Sequence, residues 1–507
     1  MTPRVARRSP WAAAAIVALF AACAGPTVPT PSAAPVQTST PALATSTPGA
    51  TVSPSPSPTA SPTQTAPPTA SPQPTVTATP GPSPTPATGI TLDEALIGRH
   101  LDALAQIARD NNGERAAGTS GYAASVDYVV EQLTTLGFEV ERQPFEFTFF
   151  DEVAPVSVAI DGESWTGPDW LRTNLYSGEG DISAVPVSVR GSGCDASDWN
   201  AFPSGSIALV DGDGCFTRIK VFLAQDAGAA ALISLVTEWD EGEVLQPTLL
   251  EPTDIEIPAV VAGNEPSQAL SDAARDGMTI ELDVDVEMSR MTINNVIAEW
   301  PGATDQTVML GGHLDSVLGG PGLNDNGSGV ATLLAIAASV ANLPVPERTI
   351  RLGFWGAEEF GVYGSDHYVK SLSASEESRI QAYLNLDMVA SPNAGLYVYE
   401  DDSSPTGSAR ITRLLFDALQ EMGTSGIGIP SGGSDHVAFW NADIAFGGVF
   451  SGIALLTAEE AEMFDGEAHE PADPCYHLPC DGRQNVDLDT AMILGGAIAA
   501  VLEELAY

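Results

Sequence analysis

Lysine is nearly missing from this chain of 507 residues: only Lys220 and Lys370 occur, and Lys and Arg together number 20 against 66 Asp and Glu. The formal net charge of −46 would repel a phosphate backbone, which excludes nucleic acid as a partner. Long apolar runs are scarce as well. The N-terminal one covers only residues 11–20, whereas a helix needs roughly 20 residues to cross a bilayer. Cysteine is confined to Cys23, Cys194, Cys215, Cys475 and Cys480, an odd count that leaves one thiol over after pairing.

What is present at the N-terminus reads as an address. Arg4, Arg7 and Arg8 precede the apolar run, which has the length of a signal-peptide core rather than of an anchor. Ala21-Ala22-Cys23 follows and resembles the lipobox of bacterial lipoproteins, with Phe20 standing where leucine is usual. Residues 1–23 are therefore expected to be a lipoprotein-type export signal, with Cys23 acylated and the product extracellular or held at the cell surface by that lipid. Residues 24–88 are almost entirely Pro, Thr, Ser and Ala. They bury too little apolar surface to offset their ordering entropy and are expected to form a disordered stalk. Lipidation of Cys23 leaves four cysteines, and proximity pairs Cys194 with Cys215 and Cys475 with Cys480.

The remainder is long enough for two domains. Thr91 and Glu94 have the spacing of a capping box before a helix, and a second helix runs from about Gly121 to a stop at Gly137. Residues 138–149 alternate as strands do. Residues 151–288 form short β-like runs rich in glycine, with strands near 206–210 and 229–236 and a helix near 217–227. From residue 290 strands and helices alternate, the mark of a parallel α/β sheet. Strands at 307–310, 349–354 and 381–386 lead into His313, Glu358 and Asp387, where open sheets of this class bind ligands. A helix closes the chain over 487–507. The expected division is thus 89–150 and 289–507 as one domain, interrupted by an insert over 151–288.

Chemistry concentrates in five segments: Gly312-His313-Leu314-Asp315-Ser316, Gly322-Leu323-Asn324-Asp325-Asn326-Gly327-Ser328-Gly329, Trp355-Gly356-Ala357-Glu358-Glu359, Leu386-Asp387-Met388, and Cys475-Tyr476-His477-Leu478-Pro479-Cys480. Singly, a histidine is more often packed than ligating, and an aspartate after a strand is often a cap. Together, charged groups at the ends of apolar strands are costly unless a cation compensates them. Imidazoles with carboxylates suit a pair of zinc ions.

These motifs, in this order, resemble the secreted dizinc aminopeptidases of the leucine-aminopeptidase-like metallopeptidase class, and the Arg115-Ala116-Ala117-Gly118-Thr119 stretch resembles that family's Arg-x-x-Gly-Thr region. The segment running from Cys194 through Gly205–Val210 and Cys215 to Ala227-Gly228-Ala229 resembles a protease-associated domain. The resemblance implies a zinc exopeptidase fold: a mixed, mostly parallel sheet flanked by helices, with a small α/β insert. It implies two Zn2+ per chain, His313 and Asp387 on one, Glu359 and His477 on the other, and Asp325 bridging. Glu358 is the implied general base for a water held between the metals, Asp315 the group that orients His313, and Tyr476 a hydrogen-bond donor to the oxyanion. Met388, Asp435 and His436 are expected to line the substrate side. His477 is preferred to His469, which sits in no matching motif, and to His436, whose family counterpart is not a ligand. The expected partner is a peptide with a free N-terminus, acted on by a monomer. Competing readings are a glutaminyl cyclase, which commonly holds one zinc, a carboxypeptidase or dipeptidase, and a non-catalytic binding protein.

Overall fold

Alternating apolar strands and helices place a mixed sheet at the centre of the computed structural model, which describes residues 89–507 apart from 213, 237–243, 251 and 253. The export signal, Cys23 and the 24–88 segment lie outside the described residues. Across the large sheet the strands run in the order Ile427–Ile429, Tyr397–Tyr399, Phe446–Phe450, Ile380–Leu386, Thr304–His313, Arg348–Trp355, Ile280–Trp300, Glu139–Ile160 and Glu163–Thr166, with Gly180–Ala184 also paired to Ile280–Trp300. The middle is parallel: Thr304–His313 lies between Arg348–Trp355 and Ile380–Leu386, and the latter continues in parallel to Phe446–Phe450. Toward Glu139–Ile160 the pairing becomes antiparallel.

Parallel strands must be covered on both faces, and the sequence meets this with helices of high apolar content. Helix Gly327–Val340 is buried on nearly every side, as a helix that is apolar all round must be. Helices Glu94–Asp110, Ser120–Leu136 and Leu488–Ala506 pack with it through Leu101, Leu104, Val126, Leu133, Leu494 and Ile498. Gly137 closes Ser120–Leu136 in the left-handed region at φ 95°, with its N–H on carbonyls of the last turn, the geometry glycine permits at least cost.

The capping box expected at Thr91 and Glu94 is not formed. The first helix starts at Glu94 behind Asp93, whose side chain makes no cap, while the Thr91 N–H donates to Ser339 Oγ at 2.9 Å. Thr91 thus sits two residues ahead of the cap position, its N–H tied to Ser339.

Strands Glu139–Ile160 and Ile280–Trp300 pair from Glu139↔Glu299 to Ala159↔Glu281 as one ribbon, with irregularities at Glu152, Ala154 and Ser157. Both expected limits of the insert, at 150 and 288, fall inside this ribbon. Beyond it lies a second sheet ordered Leu171–Thr173, Ala259–Ala262, Ala231–Leu235, Ile207–Asp211, Pro186–Ser188, flanked by helices Thr217–Asp226 and Asn264–Asp276. Cys194 and Cys215 are bonded beside it, as are Cys475 and Cys480 in the other part of the chain, both as expected. Among the described residues no helix is long and apolar enough to cross a membrane.

Candidate metal centre

Register brings the side chains together. His313 ends its strand opposite Trp355, and two positions earlier Gly311 faces Asn385 on the other side, so His313 and Asp387 emerge side by side at the carboxyl edge. A side chain on Gly311 or Gly312 would not fit there: a Cβ on Gly312 would stand 2.4 Å from the Leu386 carbonyl oxygen. His313 Nε2 lies 3.1 Å from Asp325 Oδ1 and 3.3 Å from Asp387 Oδ1. The other oxygen of Asp325, Oδ2, is 3.1 Å from His477 Nε2, which in turn is 3.1 Å from Glu359 Oε2. Two three-residue groups therefore form, His313–Asp325–Asp387 and Asp325–Glu359–His477, and they share Asp325 through opposite oxygens.

These side chains are held from behind. His313 Nδ1 lies 3.2 Å from the Asp315 backbone oxygen and 3.8 Å from its carboxylate, so a proton on Nδ1 leaves Nε2 free for a cation. The Asp315 carboxylate itself accepts the backbone N–H groups of Glu358 at 3.2 Å and Glu359 at 3.4 Å, linking the first motif to the third. Buried Arg115 donates to the carbonyls of Pro321 at 2.9 Å, Leu314 at 2.5 Å and Gly322 at 2.6 Å, and so fixes the loop from His313 to Asp325. Asp481 accepts the N–H groups of Asn324 and Asp325 at 2.9 and 3.0 Å. Because Asp481 follows Cys480, the disulfide-closed turn that presents His477 also grips Asp325.

A further relay ends on Asp387. Trp355 Nε1 can only donate, and it does so to Tyr383 Oη at 3.0 Å. Tyr383 must then donate onward to Asn385 Oδ1 at 3.0 Å, which turns the Asn385 amide toward Ser434 Oγ at 3.0 Å. Ser434 is left to donate to Asp387 Oδ2 at 2.7 Å. The direction of the whole chain follows from its first member. Sequence reasoning missed these residues. The signal was available in Asn385, a polar residue between Leu384 and Leu386 on the buried part of strand Ile380–Leu386.

The electrostatics of the cluster favour a bound cation. Burial opposes protonation of both histidines, yet Asp387 and Asp315 around His313, and Glu359 and Asp325 around His477, hold the imidazoles well above their ordinary range. Burial, then Asp435, Asp387 and Glu359, push Glu358 well above the usual carboxylate range against the pull of His313. Burial and the neighbouring Asp387 and Asp315 lift Asp435 to about 8, opposed by His313 and a poorly aligned Ser365 hydroxyl. Glu359 Oε1 is buried with no hydrogen-bond partner. Unpartnered buried carboxylate oxygen, borderline imidazole and a carboxylate aimed two ways form a donor set that fits two zinc ions.

The remaining expected residues are placed as follows. The Tyr476 ring stacks on His477 with centroids 3.8 Å apart, and burial raises its phenol well above the ordinary value, so it stays a donor. Met388, Asp435 and His436 are all buried. His436 sits between Tyr399 and Phe446, at 4.8 and 5.1 Å, and burial lowers it to about 4, so it is neutral. Met388 is pinned at φ 48° by its N–H to Asn326 Oδ1, 3.2 Å away. None of the three presents surface to solvent. His469 lies apart, exposed.

Comparison with known proteins adds to this geometry. Residues 295–502 match peptidase family M28, and residues 180–270 match the PA domain. An aminopeptidase of Pseudomonas aeruginosa is 39% identical over 428 residues, covering 80% of this chain and 79% of that protein. A Mycobacterium tuberculosis protein described as "probable lipoprotein aminopeptidase LpqL" is 37% identical over 424 residues, 79% of this chain and 82% of its own. Among solved structures, the aminopeptidase from Aneurinibacillus sp. strain AM-1 superposes with a TM-score of 0.67 at 27% identity, over 82% of this chain and 94% of that one.

Proposed function

The chain belongs to peptidase family M28 with a PA domain inserted and is a metallo-aminopeptidase; on that premise we propose that it removes N-terminal residues from peptides at a centre of two zinc ions. The observation that carries this reading is Asp325, whose two oxygens address two different histidines at the same 3.1 Å. A carboxylate shared in this way suits a pair of ions about 3.5–4 Å apart. His313 and Asp387 would hold one ion, Glu359 and His477 the other.

Zinc bound there supplies polarisation of the scissile carbonyl and a water acidic near pH 7. The protein does the rest. Glu358 takes the proton of the attacking water and returns it to the leaving amine, a task suited to a carboxylate whose burial and acidic neighbours strengthen its basicity. Asp315 holds the Glu358 backbone and the His313 ring in one register. Tyr476, kept protonated by burial and steadied against His477, donates to the oxyanion as it forms. Met388, Asp435 and His436 back the ligands from within the protein. Export and a lipid anchor at Cys23 agree with the lipoprotein description of the mycobacterial relative.

The decisive experiment combines metal analysis with cleavage. The purified protein should hold close to two zinc ions and release amino acids from peptides with free N-termini. N-acetylated peptides should be left intact, and chelation should stop turnover until zinc is returned. One tightly held zinc with cyclisation of N-terminal glutamine, or two zinc ions with no release from any unblocked peptide, would overturn the proposal.

A further inference from the structure

The turn that carries Glu358 and Glu359 is unusual in its backbone and in what closes it. Ala357, Gly361 and Val362 all lie at positive φ, 56°, 121° and 62°. Backbone of this kind persists where its surroundings over-determine it. Two of the determinants are local: the Glu358 carbonyl accepts the N–H groups of Gly361 at 2.8 Å and Val362 at 2.9 Å, and Asp315 takes the N–H groups of both glutamates. The Phe360 carbonyl, one residue past Glu359, points elsewhere. It accepts the hydroxyl of Tyr176, 2.7 Å away and fully buried.

Tyr176 belongs to the inserted part of the chain. It follows strand Leu171–Thr173 and is itself held at φ 71°. The insert's own backbone fixes it: Leu175 N–H donates to the Pro247 carbonyl, Leu249 N–H to the Leu175 carbonyl, and Ser177 N–H to the Asn174 carbonyl, at 2.8, 3.1 and 2.9 Å. The same hydroxyl is 3.1 Å from the Thr148 carbonyl on the ribbon. A second contact lies beside the first. A Cβ on Gly361 would stand 2.5 Å from the carbonyl oxygen of Leu250, also in the insert and also at positive φ, 71°. The insert thus meets the turn at two consecutive residues, Phe360 and Gly361.

We infer that the inserted domain is part of the framework that sets the catalytic glutamates, with Tyr176 a positioning residue acting through the Phe360 carbonyl on Glu358 and Glu359. The inference rests on the two-zinc reading above, and it gives the insert a structural task at the site. The carbonyls that the Tyr176 hydroxyl meets belong to Thr148 and Phe360, neither of them a residue assigned to a metal. Its hydroxyl bonds the turn from behind, so its loss lets the turn relax and moves a base and a ligand together. Shifts of about 1 Å in such groups cost up to about 10²-fold in rate.

The test compares Tyr176→Phe with Trp199→Phe in the full chain. Trp199 donates to the Gly193 carbonyl at 3.0 Å within the insert, so its variant removes a comparable bond remote from the turn. Tyr176→Phe should lower kcat by about 5–50-fold with KM within about twofold, and weaken zinc retention in chelator competition at one of the two sites. Trp199→Phe should leave kcat and zinc retention within about twofold of wild type. Binding linkage is reciprocal, which supplies a measurement on the unaltered protein: zinc loading should slow hydrogen exchange at the amides of Leu175, Ser177 and Leu249, and leave those of strand Ile207–Asp211 unchanged. Folded Tyr176→Phe with wild-type kcat and zinc affinity overturns the inference, as does equal loss in both variants. Should Tyr176→Phe fail to fold, exchange at those three amides decides, and no change on zinc loading overturns it. A wild type that neither holds zinc nor cuts peptides fails the proposed function itself, whereas a competent wild type matched by Tyr176→Phe fails this inference alone.

Discussion

Replacing Ser434 by alanine removes one oxygen atom from a closed relay, and the consequence can be followed bond by bond. Ser434 Oγ donates to Asp387 Oδ2 at 2.7 Å and accepts from Asn385 Nδ2 at 3.0 Å. The variant therefore takes a charge-assisted hydrogen bond from a ligand carboxylate and leaves the buried Asn385 amide short of an acceptor. A hydrogen bond to a charged group is worth about 1.5–3 kcal/mol net, and each 1.4 kcal/mol is a factor of ten in affinity. Zinc at the His313–Asp387 position should then bind roughly 10–100-fold more weakly, in the range expected when a partner of a ligand is lost. The Glu359–His477 position should be spared, because no member of the Trp355–Tyr383–Asn385–Ser434 relay touches those residues. Competition with a chromophoric chelator resolves two successive affinities, and only one should shift. Ser434→Thr keeps the hydroxyl and should restore much of the loss. Equal weakening of both sites, or two unchanged affinities in a folded variant, would refute the reasoning.

Other outcomes follow from the same geometry. Glu358→Gln should keep its zinc while kcat falls by about 10²–10⁴, the range for a lost general base; unchanged turnover would exclude Glu358 from that role. Reduction of Cys475–Cys480 should weaken zinc at the Glu359–His477 position, because that turn carries His477 and, through Asp481, grips Asp325; a reduced protein with both metals and full rate would show the turn holds without it. Zinc uptake should release protons, measurable by calorimetry in buffers of different ionisation enthalpy. The sign follows from the metal-free fold: His313, His477 and Glu358 are raised above their unfolded values, Asp435 is raised to about 8 and Asp481 to about 7; these outnumber His100 and His436, each lowered to about 4, so near neutral pH the folded state binds more protons than the unfolded chain. Stability of the metal-free protein should be greatest in mild acid and fall as pH rises toward 8. The gain in melting temperature on adding zinc should accordingly grow over the same interval, and a constant gain would contradict it.

Much of this molecule is legible one segment at a time. Periodicity marks the strands and helices after residue 290, and punctuation by Gly137 or by the edges of apolar runs marks where they stop. Because a parallel strand delivers whatever follows it to one edge of the sheet, the ends of three strands already announce His313, Glu358 and Asp387 as neighbours. The spacing of Cys475 and Cys480 around His477 is equally local. Distant pairings leave no such trace. Thr91 has the look of a cap and instead bonds Ser339. The ribbon of Glu139–Ile160 and Ile280–Trp300 runs through both points where composition changes, because strand pairing continues regardless of which residues are glycine-rich.

What the amino-acid order determined alone was the inventory of candidate ligands and its order along the chain, since imidazole and carboxylate chemistry belongs to residue types. The division of labour between the two oxygens of Asp325, the directed relay to Asp387, the three carbonyls met by Arg115 and the hold of Tyr176 on Phe360 were decided only by the tertiary structure. Each is a hydrogen bond or contact whose partner is set by the register between elements far apart in the chain, and for Arg115 and Tyr176 the acceptors are backbone carbonyls, a group every residue carries alike.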